Sequence, residues 1–196
     1  MIRADILIIG AGLTGLTLHH HLKSHPAKVV LVEARHRFGG RIHTLKDESG
    51  NVAPVEMGAT WLGISHRNLH TLLRDLNIEL FQQILGEQAI YEPTSMIPHQ
   101  LVTLPDQQEP SYRIKGGTST LIHKLAENID PDLLFLGKPV HSITEQDDRL
   151  MVECESLAFS SRCVISTLPP RLLQQKVAIN PPMPDSVRTI MAKTHT

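Results

Sequence analysis

Aromatic residues are scarce in this chain of 196 residues: four Phe, two Tyr and a single Trp make up 4% of it. So thin a supply argues against a stacking surface for nucleic-acid bases. An excess of either charge is also missing. The formal net charge is −1, so nothing points to a nucleic-acid or anionic membrane partner. Cysteine occurs twice, at Cys154 and Cys163, without CxxC spacing. The two read as reduced, half-buried thiols of a cytosolic protein. No apolar run approaches the roughly eighteen residues of a membrane span. The first one is cut short at Gly10, so no signal peptide is read ahead of the domain. A soluble cytoplasmic protein is the expectation. With 41% hydrophobic and 20% charged residues, the chain can build one sizeable core or two small ones.

What the chain does have is concentrated between Asp5 and Arg41. Asp5-Ile6-Leu7-Ile8-Ile9 is an apolar strand, and Gly10-Ala11-Gly12-Leu13-Thr14-Gly15-Leu16 is a glycine turn opening a helix. Lys28-Val29-Val30-Leu31-Val32 is a second apolar strand, ending at Glu33. This strand–turn–helix–strand order is what a dinucleotide fingerprint requires. Gly10 permits the tight turn, Gly12 lets backbone approach a pyrophosphate, and Gly15 lets the helix pack closely on the sheet. The N–H groups at the helix start, around Leu13 and Thr14, carry partial positive charge and receive phosphates. Glu33, eighteen residues after Gly15, is placed to take both hydroxyls of the adenosine ribose. Its charge favours a free 2′-hydroxyl over a 2′-phosphate.

The residues after Glu33 separate FAD from NAD. Ala34 and Arg35 lead into Arg37-Phe38-Gly39-Gly40-Arg41, a glycine pair set between arginines. Adjacent glycines let backbone run close to a bulky ligand, and guanidinium groups can neutralise its phosphates. A nicotinamide enzyme has no particular need of this second clamp.

Together with Glu56-Met57-Gly58-Ala59-Thr60-Trp61, these motifs resemble the flavin-containing amine oxidase family, the monoamine and polyamine oxidases and L-amino acid oxidases. The resemblance implies FAD as cofactor and a small-molecule amine as substrate. It implies a backbone contact to the flavin and ribityl chain from Gly58, Ala59 or Thr60. Trp61 is either part of that contact or a core anchor. The resemblance further implies that the backbone of Val140 meets the adenine, since the spacing to Ile143 is kept, and that Ser166-Thr167-Leu168-Pro169-Pro170 returns to the adenine side.

Elsewhere the patterning is ordinary. A first helix is expected from Leu13 to about Lys23, ending before Ser24-His25-Pro26. Its His19-His20-His21 run does not suit a metal, because consecutive helical residues point about 100° apart. One of the three should face the sheet and two the surface. Ile42–Leu45 and Val52 onward read as strands around a polar turn at 46–51. Leu69, Leu72, Leu73 and Leu76 mark one buried face of a helix over 68–77. Thr118 is a suitable N-cap for a helix burying Leu121, Ile122 and Leu125, and the preceding Gly116-Gly117 is assigned no ligand contact. Residues 133–136, 139–143, 150–155 and 161–167 read as strands, and a last helix is expected through Ile190 and Met191.

The expected fold class is α/β: a Rossmann-like FAD-binding domain with a parallel sheet, over 1–77 and 111–170. Part of an inserted α+β substrate domain is expected at 78–110 and 171–196. The resemblance covers only about the N-terminal half of such an oxidase, without its flavin-side lysine or its closing glycine-rich segment. Catalytic residues are therefore not assigned, and the ADP half of the site should hold FAD weakly or not at all. The complete protein would oxidise an amine to an imine, O₂ returning the flavin to its oxidised state with release of H₂O₂. An FAD-dependent desaturase or protoporphyrinogen oxidase relative shares the front motif, and a non-catalytic nucleotide-binding module is the reading of a different class. Neither the substrate nor the oligomeric state can be read from the sequence.

Overall fold

The computed structural model describes residues 1–47, 49, 52–84, 86–95, 98–104 and 109–194. The expected turn at 46–51 therefore lies partly outside the described residues, at 48, 50 and 51. The chain forms two compact units, Met1–His43 with Ile122–Thr196, and Thr44–Leu121. These units divide the chain elsewhere than the expected spans 1–77 with 111–170 and 78–110 with 171–196. Residues 171–194 also belong with the first unit: the strand Ala178–Asn180 pairs parallel with Val140–Gln146, which ties the segment into that unit's sheet.

The first unit contains a four-stranded parallel sheet in the order Leu134–Phe135, Val29–Val32, Ile6–Ile9, Cys163–Ser166. All four residues of Val29–Val32 are buried, as expected of a central strand covered on both faces. The two-residue period of a strand divides them. Leu7, Ile9, Val30 and Val32 join Val140, Val152 and Phe159 in one apolar cluster. Ile8 and Leu31, also fully buried, point to the opposite face. There Ile8 lies beneath Gly15 of the helix Leu13–Leu22. A five-stranded sheet supplies the other wall of the cluster, in the order Ile2–Arg3, Ala158–Ser161, Arg149–Cys154, Val140–Gln146, Ala178–Asn180. Phe159, fully buried, packs edge-on against Phe135 with ring centroids 5.2 Å apart.

The run 161–167 is not one strand. It belongs to the five-stranded sheet up to Ser161 and to the parallel sheet from Cys163. The N-terminus makes the same transfer between Arg3 and Ile6. Arg149 holds this double crossing, donating to the Ala4 carbonyl at 2.7 Å and to the Ser160 carbonyl and hydroxyl at 2.9 and 2.6 Å.

The second unit has a three-stranded antiparallel sheet, Leu62–Gly63, Ser111–Ile114, Leu80–Gln82, and two strand pairs, Thr44–Leu45 with Val55–Glu56 and Gln88–Tyr91 with Gln100–Thr103. Its helix Arg67–Asp75 buries Leu72 and Leu73 and half-buries Leu69. Among the described residues no helix is long and apolar enough to cross a membrane.

Candidate functional site

The glycine turn sits at the end of strand Ile6–Ile9, in the middle of the parallel sheet. Gly10 has φ +103°, a region that L side chains rarely adopt, and its N–H donates to the Val32 carbonyl at 2.8 Å. A Cβ on Gly10 would stand 2.5 Å from the Thr167 hydroxyl oxygen. That hydroxyl donates toward the carbonyls of Ile9 and Gly10, at 3.0 and 3.2 Å. A Cβ on Gly15 would collide with the Gly10 carbonyl oxygen. The helix beginning at Leu13 is capped by Gly12, with no side-chain hydrogen bond and no acidic residue in its first turn. A helix start without a capping side chain can offer amides to an outside acceptor.

Glu33 closes the mouth of this turn. It is only 9% exposed, one carboxylate oxygen accepting the Ala11 N–H and the other the Arg35 N–H, both at 2.9 Å. Each carboxylate oxygen has further lone-pair capacity. The carbonyl of Glu33 accepts the Lys138 N–H at 2.9 Å and that of Arg35 the Gly137 N–H at 2.8 Å, so the strand leading into Val140 begins beside the acid. Val140 is buried, opposite Cys154, where the ladder is irregular before Ser142.

The second glycine pair meets the first directly. The Gly39 N–H donates to the Ala11 carbonyl at 2.7 Å, and Gly12 and Gly39 form an isolated parallel bridge. A Cβ on Gly40 would lie 3.2 Å from Gly12 Cα. Gly39 and Gly40 both have positive φ, +104° and +58°. The arginines around them do not share one role. Arg37 is half-buried and donates to the carbonyls of Phe38, Gly40 and Ile42 at 3.2, 3.0 and 3.4 Å. Arg35 is exposed and reaches the Gly40 carbonyl at 3.3 Å. Ala34 and Arg41 are exposed beside them.

The structure thus gathers Gly10, Gly12, Leu13, Thr14, Gly15, Glu33, Ala34, Arg35, Gly39, Gly40 and Arg41 within the first unit, with Val140 at the start of a neighbouring strand. Gly58, Ala59, Thr60 and Trp61 belong to the second unit, where the Thr60 hydroxyl donates to the Gly58 carbonyl at 3.0 Å. Trp61 is 59% exposed, which removes the core-anchor reading for it. Sequence reasoning brought Thr167 back to the adenine side but missed its hydroxyl contact with the glycine turn and the tether from Gly137 and Lys138, since neither belongs to a local motif. It also missed the function of Glu56 within the second unit. Glu56 accepts the Thr118 N–H at 2.6 Å and the Thr44 hydroxyl at 2.9 Å. A Cβ on Gly117 would strike Thr44, which explains that glycine without a ligand.

A family model described as flavin containing amine oxidoreductase matches residues 13–96 and 92–196. The probable polyamine oxidase 4 of Arabidopsis thaliana is 35% identical over 115 residues, which cover 52% of this chain and 22% of that protein. The probable flavin-containing monoamine oxidase A of Dictyostelium discoideum is 27% identical over 150 residues, covering 76% and 31%. Among solved structures, putrescine oxidase bound to putrescine superposes with a TM-score of 0.81 at 17% identity, covering 97% of this chain and 63% of that one. The chain therefore spans less than a third of these two curated relatives, and the structural likeness speaks to the fold.

Proposed function

The chain belongs to the flavin containing amine oxidoreductase family, and from that premise we propose that it holds the ADP portion of FAD for the oxidation of an amine. The observation that carries this reading is the buried Glu33 carboxylate, set at the mouth of the glycine turn by the amides of Ala11 and Arg35. The surroundings fit the group. The helix start bears no capping side chain, and the glycines at 12 and 40 keep Cβ atoms out of the place where the two turns cross.

On this reading the amides at the helix start and the Arg35 and Arg41 guanidiniums face the diphosphate, while Glu33 accepts the ribose hydroxyls. The backbone at Val140 borders the adenine. Gly58, Ala59, Thr60 and Trp61 line the path of the flavin, and 78–110 belongs to the substrate side. Bound FAD supplies the redox chemistry: two electrons leave the amine-bearing carbon, an imine results, and O₂ is reduced to H₂O₂. The chain's own contribution is to bind and orient, in a protein working in the cytoplasm on small amines.

The test is an FAD titration of the chain with ADP as competitor, followed by H₂O₂ detection with primary amines, polyamines and amino acids. ADP is expected to displace FAD, and one amine class to yield H₂O₂. FAD that ADP fails to displace would contradict the site, and an amine panel without H₂O₂ from the complete, FAD-loaded protein would contradict the oxidase reading.

A further inference from the structure

We propose that Arg37 is a positioning residue for the dinucleotide site and does not contact the phosphates, unlike its neighbours Arg35 and Arg41. The inference deepens the FAD reading and rests on it. From sequence, Arg35 and Arg41 are the candidates for neutralising a diphosphate, and Arg37 stands between them without an assigned role. The geometry separates them. Arg37 is the half-buried one, and its guanidinium is spent on carbonyls of its own loop: Phe38 at 3.2 Å, Ile42 at 3.4 Å and Gly40 at 3.0 Å.

Those carbonyls belong to the loop that meets the glycine turn. Gly39 donates to the Ala11 carbonyl, and the Gly39 carbonyl accepts the Ile42 N–H at 2.9 Å. Both glycines lie at positive φ, so this loop has much conformational freedom to lose on ordering. A planar guanidinium fork can bond several carbonyls at once, which a lysine ammonium on a flexible stem does less rigidly. Arg37 thereby holds Gly40 against Gly12 before any ligand arrives. It also draws three carbonyl oxygens, each of them a partial negative charge, to itself. Removing the guanidinium lowers the fraction of molecules with the loop in place, and the apparent Kd rises as the inverse of that fraction.

The experiment compares Arg37→Met, Arg37→Lys and Arg41→Met in the full chain, by two readouts. Without ligand, amide hydrogen exchange is followed at Gly39 and Ile42. Arg37→Met should lose about tenfold in protection there, while Ile6–Ile9 and Val29–Val32 keep theirs, and Arg41→Met should match the wild type. With ligand, FAD affinity is measured across a salt series. Arg37→Met should bind about tenfold more weakly with an unchanged salt dependence, whereas Arg41→Met should flatten it, as loss of a phosphate contact does. Guanidinium ion at low millimolar concentration should restore part of the affinity of Arg37→Met only.

Unchanged exchange at Gly39 in Arg37→Met overturns the proposal, as does a salt dependence flattened as in Arg41→Met. Should Arg37→Met not fold, the same two readouts on Arg37→Lys decide, with a smaller loss of protection expected. Failure of the wild-type chain to bind either ADP or FAD would count against the dinucleotide site, while the ligand-free exchange still judges the loop.

Discussion

The Glu33 carboxylate and the Ala11 N–H meet at 2.9 Å across 22 residues of sequence. This hydrogen bond joins the end of one strand to the turn leaving the next. It fixes the acid at the lip of the crevice, and the Arg35 N–H fixes its other oxygen. A carboxylate so held keeps its orientation without a ligand, so a ribose would meet an acceptor already in place.

Gly15 lies inside the helix Leu13–Leu22, where alanine is ordinarily better than glycine by about 1 kcal/mol. Here the sign reverses, because a Cβ would collide with the Gly10 carbonyl. Gly15→Ala should destabilise the chain by about 1–3 kcal/mol and weaken FAD binding, as read from the urea midpoint and a titration.

Arg149 joins the two places where the chain changes sheets, at Ala4 and Ser160. Arg149→Met leaves those carbonyls without a charged donor and should cost about 2–4 kcal/mol. Because the crossing lies apart from the glycine turn in sequence and in hydrogen bonding, Kd for FAD should stay within about twofold of wild type wherever the variant is folded.

His19 is buried and its pKa lies below the ordinary value of 6.5, first through burial and then through the charges of His20 and Lys23. The folded chain therefore binds fewer protons at this site than the unfolded chain. Stability falls as pH drops through 6.5 toward the lower folded-state pKa, and is regained as pH rises. His19→Leu should flatten that dependence in denaturation curves taken between about pH 5.5 and 7.5, about one unit either side of the ordinary value. An undiminished slope would mean that other groups cause it.

The two cysteines are both free but not alike. Cys163 is exposed, whereas Cys154 is buried, its thiol pKa raised by burial and its Sγ 3.6 Å from the Lys138 carbonyl. The expectation of two half-buried thiols is corrected accordingly. Iodoacetamide should label Cys163 in the native chain, and Cys154 only after denaturant is added, as peptide mass spectrometry can establish.

The parts of the fold legible in the sequence were those whose causes are local. A buried strand, a glycine turn, a helix and a second strand lie within about forty residues, and Glu33 follows the last of them, so spacing alone locates it. The sheet change at Arg162 was not legible. Ser161 and Cys163 flank it without glycine or proline, and the break is made by Asp5, whose carbonyl accepts both the Ser161 hydroxyl and the Cys163 N–H. Trp61 stays open in the sequence between a cofactor contact and a core anchor, because residue type alone does not say whether a lone tryptophan enters the core, and its exposure removes the second. Arg37 carries no site assignment in the sequence, because residue type cannot distinguish a guanidinium facing solvent from one bonded to three carbonyls.

Binding of FAD by wild type and Glu33→Gln, measured side by side with ADP as competitor, tests the central claim most directly. The substitution keeps the shape while removing the charge that receives the ribose and setting an amide against two backbone donors. Affinity for both FAD and ADP should fall by about tenfold or more, equivalent to the loss of a charged hydrogen-bond acceptor. Equal affinities in a folded Glu33→Gln chain would contradict the account.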